Sequence, residues 1–131
     1  MTVIVPVARA LYLCDYHVGY KSGKVDLYGV FKAIQPHGYP HRKEPFVCFA
    51  QMSGGLGAVA CHLDIRRASD LQLIDWSGTR MLRFPDRDTL LQVAWTFPGC
   101  DFQEPGLYLV ELYCDNTWVT DTTLQLRGVE T

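Results

Sequence analysis

Two histidines lie close together in a segment rich in proline and glycine. His37 and His41 are separated by Gly38-Tyr39-Pro40. Two histidines at this spacing bind zinc when both lie on one face of a helix. The intervening glycine and proline prevent a helix, so the spacing alone does not predict a metal site. We predict instead an exposed loop that is open to contact by a partner, with the contact residues His37, Tyr39, His41, Arg42 and Lys43.

A metal-dependent hydrolase is the enzyme that these side chains could support. It would use His17, His37 and His41, since a catalytic zinc ion takes three protein ligands and leaves one position for water. The three histidines would have to be assembled by the fold, because they do not form the tightly spaced ligand pairs typical of zinc sites. We therefore predict no metal ion and no cofactor, and we keep the hydrolase as an alternative.

The sequence contains no complete set of residues for nucleophilic catalysis. Cys14 and His17 offer a thiol and an imidazole, but residues three apart in a strand point to opposite faces. The glycine-rich run 53–57 is followed by alternating residues and not by a helix, so it does not resemble a phosphate-binding loop. The protein is therefore predicted to be non-catalytic.

Length and charge exclude several classes of protein. The chain has 131 residues and a net charge of −2, which indicates a single domain over residues 1–131 without the basic excess of a nucleic-acid-binding protein. It lacks a run of roughly 18 apolar residues that would span a membrane. Its five cysteines form no CxxC pair, which is typical of free thiols in a reducing cytoplasm.

Most of the chain alternates between apolar and polar residues, with the period of two that indicates β-strands. Glycine, proline and aspartate punctuate this pattern, as in the turn at Pro85–Asp88. Antiparallel strands without crossover helices predict an all-β, antiparallel β-sandwich of about eight strands, immunoglobulin-like or jelly-roll-like. The predicted strands are Ala8–Cys14, Lys24–Ile34, Phe46–Met52, Ala58–Arg66, Leu71–Trp76, Arg80–Phe84, Thr89–Phe97, Leu107–Cys114 and Thr117–Arg127.

The last two strands give the clearest local signal. Asp115-Asn116 tolerates positive φ and predicts a hairpin turn between them. Tyr108, just after Pro105-Gly106, predicts a corner in which a tyrosine hydroxyl bonds back to the backbone. The face opposite Tyr108 is also apolar and should be covered, by a protein partner or by self-association. Its predicted contact residues are Leu107, Leu109 and Tyr113.

Four segments resemble an uncharacterised bacterial family of small single-domain proteins that carries a domain-of-unknown-function label. The resemblance covers roughly residues 8–127 and implies a β-sandwich. It implies no activity, cofactor or catalytic residue. The segments are Cys14–His17, Lys24–Phe31, Phe84–Thr89 and Pro105–Tyr113.

These observations favour a cytoplasmic binding or assembly module without catalysis. Its partner would be an unknown protein or a second copy of the chain, and neither a nucleic acid nor a membrane. A small-ligand or carbohydrate-binding sandwich is the alternative. That site would use loop aromatics and histidines, since exposed aromatic rings add contact area at low entropic cost. The residues concerned are Tyr20, His37, Tyr39 and His41.

Overall fold

Thirteen β-strands form the regular structure of the protein, in a computed structural model that describes residues 2–129. This part of the chain contains no helix, and therefore none long and apolar enough to cross a membrane. The predicted all-β class is confirmed. The strands are β1 (Val7–Cys14), β2 (Tyr16–Gly19), β3 (Val25–Tyr28), β4 (Ala33–Ile34), β5 (His41–Lys43), β6 (Phe46–Ser53), β7 (Gly57–Arg67), β8 (Leu73–Trp76), β9 (Arg80–Phe84), β10 (Leu91–Phe97), β11 (Cys100–Phe102), β12 (Gly106–Cys114) and β13 (Thr117–Leu126).

A three-stranded sheet has the order β1-β6-β10. Both ladders are antiparallel, and β6 lies in the centre. The first five residues of β6, 46–50, are all buried. The predicted strand Phe46–Met52 is thus a central one, which agrees with the apolar residues on both of its faces.

The largest sheet has the order β4-β13-β12-β7-β8, and β9 also pairs with β7. All of its ladders are antiparallel except the short parallel one between β13 and β4. Two further ribbons, β2-β3 and β5-β11, complete the fold. Residues 2–129 therefore form four sheets.

Strands β8 and β9 pair successively along one edge of β7 and are separated by Ser77–Thr79. Ser77 keeps this junction attached. The Leu63 N–H donates to Ser77 Oγ at 2.8 Å, and the Ser77 N–H donates to the Leu63 carbonyl at 2.9 Å. The serine side chain thus supplies the acceptor at the point where the strand is interrupted.

Residues 31–34 connect the two main sheets. The Phe31 N–H donates to the Leu13 carbonyl of β1, and the Gln125 N–H of β13 donates to the Lys32 carbonyl, both at 2.9 Å. One sheet is strongly curled into a half-barrel. The predicted sandwich of about eight strands, immunoglobulin-like or jelly-roll-like, is therefore not confirmed.

The prediction of one strand over Lys24–Ile34 is wrong. The chain forms β3, leaves the ladder at Gly29 with φ of 67°, and re-enters a sheet at β4. A Cβ atom at residue 29 would overlap the carboxylate of Asp15. The alternation of residue types continues through this break, because the residues after it are half-buried against a different sheet.

Both features predicted for the end of the chain are confirmed. Asp115 and Asn116 have φ of 49° and 60° and join β12 to β13. The Tyr108 hydroxyl donates to the Glu104 carbonyl at 2.7 Å, so the tyrosine corner is present. These features are local in sequence, which is why residue types alone could predict them.

Alternate residues of β6, β7, β10 and β12 build one hydrophobic core. In β7 the odd-numbered positions from Val59 to Ile65 are fully buried, and in β12 the even-numbered positions from Tyr108 to Cys114 are buried. The remaining residues of both strands therefore face away from this core. All five cysteines are buried free thiols: Cys14, Cys48, Cys61, Cys100 and Cys114.

Candidate binding face

The side of the large sheet that faces away from the core is the candidate site, and we call it the outer face. It consists of the outward-pointing residues of β7, β8, β9, β12 and β13. At its centre, β7 and β12 pair with Asp64 opposite Glu111 and His62 opposite Tyr113. On the other side of β7, Trp76 of β8 is paired with Asp64.

An arginine holds the two central carboxylates together. Arg66 Nη2 lies 2.8 Å from Asp64 Oδ2, and Arg66 Nε lies 3.0 Å from Glu111 Oε1. Like charges directly opposite each other destabilise a ladder, so Arg66 offsets a repulsion that the register creates. Desolvation lowers the pKa of Arg66, but the hydrogen bond with Asp64 and the charges of Asp64 and Glu111 outweigh it and raise this pKa overall.

Neighbouring side chains enclose this ion-pair network. Asp64 is 7% exposed and is the one charged residue that is buried in residues 2–129. His62 Nε2 lies 3.5 Å from its other carboxylate oxygen. The Tyr113 hydroxyl donates to Glu111 Oε1 at 3.2 Å. Burial, followed by the charge of Glu111 and this hydrogen bond, raises the pKa of Tyr113, so the tyrosine remains a neutral donor at neutral pH.

Aromatic rings pack around the network. The rings of His62 and Tyr113 are stacked with centroids 5.1 Å apart and an interplanar angle of 8°. Trp76 meets His62 edge-on, with centroids 6.1 Å apart, and Trp118 of β13 is paired with Tyr113. Both tryptophans are 53% exposed, so solvent reaches this aromatic surface.

The predicted second-face residues all lie on the outer face. Leu107 is 47% exposed, whereas Leu109 and Tyr113 are half-buried. Period-two alternation within β7 also puts His62, Asp64 and Arg66 on the side opposite the fully buried positions. It could not show that they meet Glu111, Tyr113 and Trp76, because cross-strand register depends on residues far apart in the chain.

The predicted contact loop is held against the rest of the protein. His37 is exposed, while the Tyr39 hydroxyl donates to the Arg127 carbonyl at 2.6 Å. His41, Arg42 and Lys43 form β5. The guanidinium of Arg42 lies 3.1 Å from both carboxylate oxygens of Asp101.

A shallow groove lies beside this loop. Its volume is about 350 Å³. Lys43 Nζ lies 3.0 Å from Asp15 Oδ1 and 5.0 Å from the ring centroid of Phe31. His41, Arg42 and Lys43 line the groove together with Asp15 and Phe31, so three of the five predicted loop residues share one surface.

The structure does not assemble the candidate catalytic groups. Residues 2–129 contain no cluster of three histidine, cysteine or acidic side chains that could hold a metal ion, so His17, His37 and His41 do not converge. Cys14 is fully buried whereas His17 is exposed. Burial, followed by the charge of Asp15, raises the pKa of the Cys14 thiol, which disfavours the reactive thiolate.

The sequence model of a family of unknown function (DUF6941) matches residues 9–127. The chain belongs to this family. No curated protein matches the chain. The resemblance stated from the four sequence segments is thereby confirmed at the level of a family of unknown function. The part of the chain that matches DUF6941 extends from β1 to the end of β13, so it contains both the outer face and the loop.

This DUF6941 chain has a further aromatic surface on the β2-β3 ribbon, of which the sequence predicted Tyr20 as a contact residue but not the ribbon itself. Tyr16 and Tyr28 pair across the β2-β3 ribbon and stack with centroids 4.6 Å apart. The Tyr20 hydroxyl donates to Asp26 Oδ2 at 2.5 Å. That hydrogen bond, followed by the charge of Asp26, raises the pKa of Tyr20. The alternating tyrosines were visible in the sequence, but β2 was not predicted as a strand.

Proposed function

We propose that this protein is a non-catalytic assembly module of the cytoplasm that binds a second copy of itself through the outer face. The observation that carries the proposal is the distribution of exposed apolar side chains. Each of the four strands β8, β9, β12 and β13 contributes at least one large apolar residue to this face that is 45–62% exposed. Monomers rarely expose large continuous apolar patches. The residues are Leu73, Trp76, Met81, Leu107 and Trp118.

The residue types on this face suit protein contact. Tryptophan, tyrosine and arginine are the residues that most often dominate binding energy at interfaces, and the face combines Trp76, Tyr113 and Arg66. The ion-pair network holds Arg66 and Tyr113 in place before any partner arrives. Less side-chain entropy is then lost on binding.

The charges of the outer face favour a second copy as the partner. The exposed Arg83 of β9 lies on the same face as the exposed Asp121 of β13, which is paired with Glu111, so positive and negative groups are interspersed. A two-fold interface brings the same patch together from both copies. It can therefore place arginine of one copy near carboxylates of the other. The five free thiols support the assignment to a reducing compartment.

Sedimentation velocity over a concentration series tests this proposal. We expect the apparent mass of the wild-type protein to increase with concentration towards twice the chain mass of 14.8 kDa. We expect Trp76→Ala to weaken dimerisation by a factor of about 30 or more, as for a central interface tryptophan. Tyr16→Ala is the matched control, because Tyr16 is 55% exposed and lies on the β2-β3 ribbon.

Two results would count against the proposal. One is a wild-type protein that stays monomeric at millimolar concentration. The other is an equal effect of Trp76→Ala and Tyr16→Ala on the dissociation constant. Circular dichroism of each variant confirms that the fold is retained, so that a loss of dimer is not a loss of structure.

The groove beside the contact loop favours a second candidate function, the binding of a small polar ligand such as a carbohydrate. It presents the imidazole of His41 and the Phe31 ring next to the ion pair of Lys43 with Asp15. Planar rings beside paired polar groups suit sugar recognition. Saturation-transfer NMR with a panel of oligosaccharides tests this function. We expect Phe31→Ala and His41→Ala to weaken the saturation-transfer signals of a bound sugar. Signals of unchanged intensity in both variants would show that the sugar binds outside the groove.

A further inference from the structure

Cys61 and Cys114 form a close pair of thiols between β7 and β12. They are direct partners in the register of the two strands. The Cys61 thiol donates to Cys114 Sγ, with the two sulfur atoms 2.9 Å apart. Both residues are fully buried. No other pair of the five cysteines is joined by a thiol hydrogen bond in residues 2–129.

The backbone places this pair where the two strands come closest. The Asp115 N–H donates to the Ala60 carbonyl at 2.8 Å, and the Ala60 N–H donates to Asp115 Oδ1 at 2.9 Å. Hydrogen-bonded and non-hydrogen-bonded pairs alternate along an antiparallel ladder. Cys61 and Cys114 therefore occupy a non-hydrogen-bonded position, where Cα atoms are about 4.5 Å apart. This separation lies within the range of about 4.4–6.8 Å that a disulfide accepts.

Cys14 and Cys48 provide an internal contrast. They lie on the neighbouring strands β1 and β6, but Cys14 is paired with Val47 and Cys48 with Leu13. Adjacent residues of a strand point to opposite faces, so these two thiols lie on opposite sides of their sheet. A bridge between them would require the backbone to rearrange.

We propose that Cys61 and Cys114 are a site of covalent modification at which a small-molecule disulfide, such as oxidised glutathione, oxidises the two thiols to one intramolecular disulfide. One cysteine thiolate attacks a sulfur of oxidised glutathione, which forms a mixed disulfide and releases one glutathione thiolate. The second cysteine thiolate attacks the protein sulfur of the mixed disulfide and releases the other glutathione. The two protons lost by the cysteines end on two molecules of reduced glutathione.

Access to the thiols requires a local opening of the sheet. The pair lies next to the Asp115-Asn116 turn, at the end of the β12-β13 hairpin. The thiol hydrogen bond from Cys61, followed by burial, raises the pKa of Cys114. The closed pair therefore reacts slowly. Oxidation should follow the rate at which the hairpin end opens, which increases in dilute denaturant. This inference is independent of the proposed self-association.

Mass spectrometry of the full-length protein tests the site. The protein is equilibrated with mixtures of oxidised and reduced glutathione, and remaining thiols are then alkylated under denaturing conditions. We expect the number of alkylated thiols to fall from five to three in a single step, since the chain has five cysteines. A peptide that links residues 61 and 114 should appear in the digest. We expect the oxidised protein to unfold about 10 °C higher, because the bridge constrains the unfolded chain.

Two variants control the experiment. Cys114→Ala should give no linked peptide at any glutathione ratio, and any loss of alkylation at Cys61 should appear as a bound glutathione that reduction removes. Cys48 is an equally buried thiol outside this pair. In the Cys48→Ala variant, the number of alkylated thiols should still fall by two, from four to two. If a variant fails to fold, the presence or absence of the linked peptide in the digest of the oxidised wild-type protein still tests the proposed bridge. Five alkylated thiols at every ratio, with or without dilute denaturant, would overturn the proposal, as would a bridge mapped to any other pair.

Discussion

Arg66 shows how one side chain on the outer face determines what its neighbours can do. The register of β7 and β12 places Asp64 directly opposite Glu111. The planar guanidinium reaches both carboxylates at the same time through different nitrogens, which the point charge of a lysine cannot reproduce. The charged centre of the face is therefore stable only while this arginine is present.

We predict that Arg66→Met lowers the free energy of unfolding by about 2 kcal/mol at neutral pH, because it leaves two partly buried carboxylates facing each other. Methionine keeps most of the aliphatic packing. The loss should shrink as the pH falls. Protonation of either carboxylate removes the repulsion between them, so the destabilisation caused by the substitution is smaller at acid pH.

Urea denaturation at pH 7 and pH 4 measures this difference. Arg83→Met is the control, since Arg83 is an exposed residue of β9. It should change stability by less than about 0.5 kcal/mol at either pH. An effect of Arg66→Met that is the same at both pH values would show that packing, and not charge, is lost.

The sequence predicts the direction of these side chains but not their partners. Period-two alternation places His62, Asp64 and Arg66 outward and Cys61 inward, as the structure has them. Alternation within a strand carries no information on which residue of β12 lies opposite. The ion-pair network and the thiol pair each join residues more than 40 positions apart in the chain. They could therefore be identified only once the register of β7 and β12 was known.

At the scale of single elements, the turn after β9 is held by one aspartate. Asp86 Oδ1 accepts hydrogen bonds from the Thr89 hydroxyl at 2.9 Å, from the Thr89 N–H at 2.8 Å and from the Asp88 N–H at 2.9 Å. The Thr89 side chain, followed by the two backbone donors, lowers the pKa of Asp86 below its ordinary value of 3.8. The ionised carboxylate therefore stabilises the turn.

We predict that Asp86→Asn lowers the thermal unfolding midpoint at neutral pH. A depressed pKa in the folded state contributes stability that is present above the unfolded pKa and is lost as pH falls through the folded pKa. The wild-type advantage should therefore shrink as the pH falls below 3.8 and through the lowered pKa of Asp86, where both proteins become uncharged at this position. Asp88→Asn leaves the acceptor at residue 86 in place and serves as the control. A difference that persists undiminished at low pH would contradict this account.

Elements that depend on local chemistry were predictable, and those that depend on distant contacts were not. The β12-β13 hairpin and the turn at Asp86 follow from residue types that lie within a few positions of each other. The short ribbon strands β5 and β11 pair residues 41–43 with residues 100–102, so no local pattern indicates them. The break at Gly29 was missed for the same reason, since the side chain packed against this glycine is that of Asp15, 14 residues earlier in the chain.

At the scale of the whole molecule, the segment after Gly29 joins the two main sheets. Positive φ at this glycine directs the chain from the β2-β3 ribbon to Phe31 and Lys32, which bond to β1 and β13. The all-β class followed from the periodicity. The curl of the sheet did not, because alternation within a strand carries no information on how distant strands are arranged.

We predict that Gly29→Ala destabilises the protein more than Gly23→Ala does. Both glycines have positive φ, at 67° and 89°, and each substitution costs about 1 kcal/mol for that conformation. A Cβ at residue 23 meets no atom within 4 Å, whereas a Cβ at residue 29 overlaps Asp15. Gly29→Ala should therefore cost about 1–3 kcal/mol more, as for other forced overlaps. Chemical denaturation compares the two variants, and equal losses would show that Asp15 moves aside freely.

The interruption at Ser77 also affects how this protein behaves at high concentration. An uninterrupted edge strand is a template on which another chain can add a strand and begin a fibril. Along this edge of β7, the outermost backbone is divided into pieces of four and five residues, and Ser77 turns the chain between them. A foreign strand could pair with only one short piece at a time. On this side, the apolar sheet face is therefore not bordered by a long edge strand to which another chain could add.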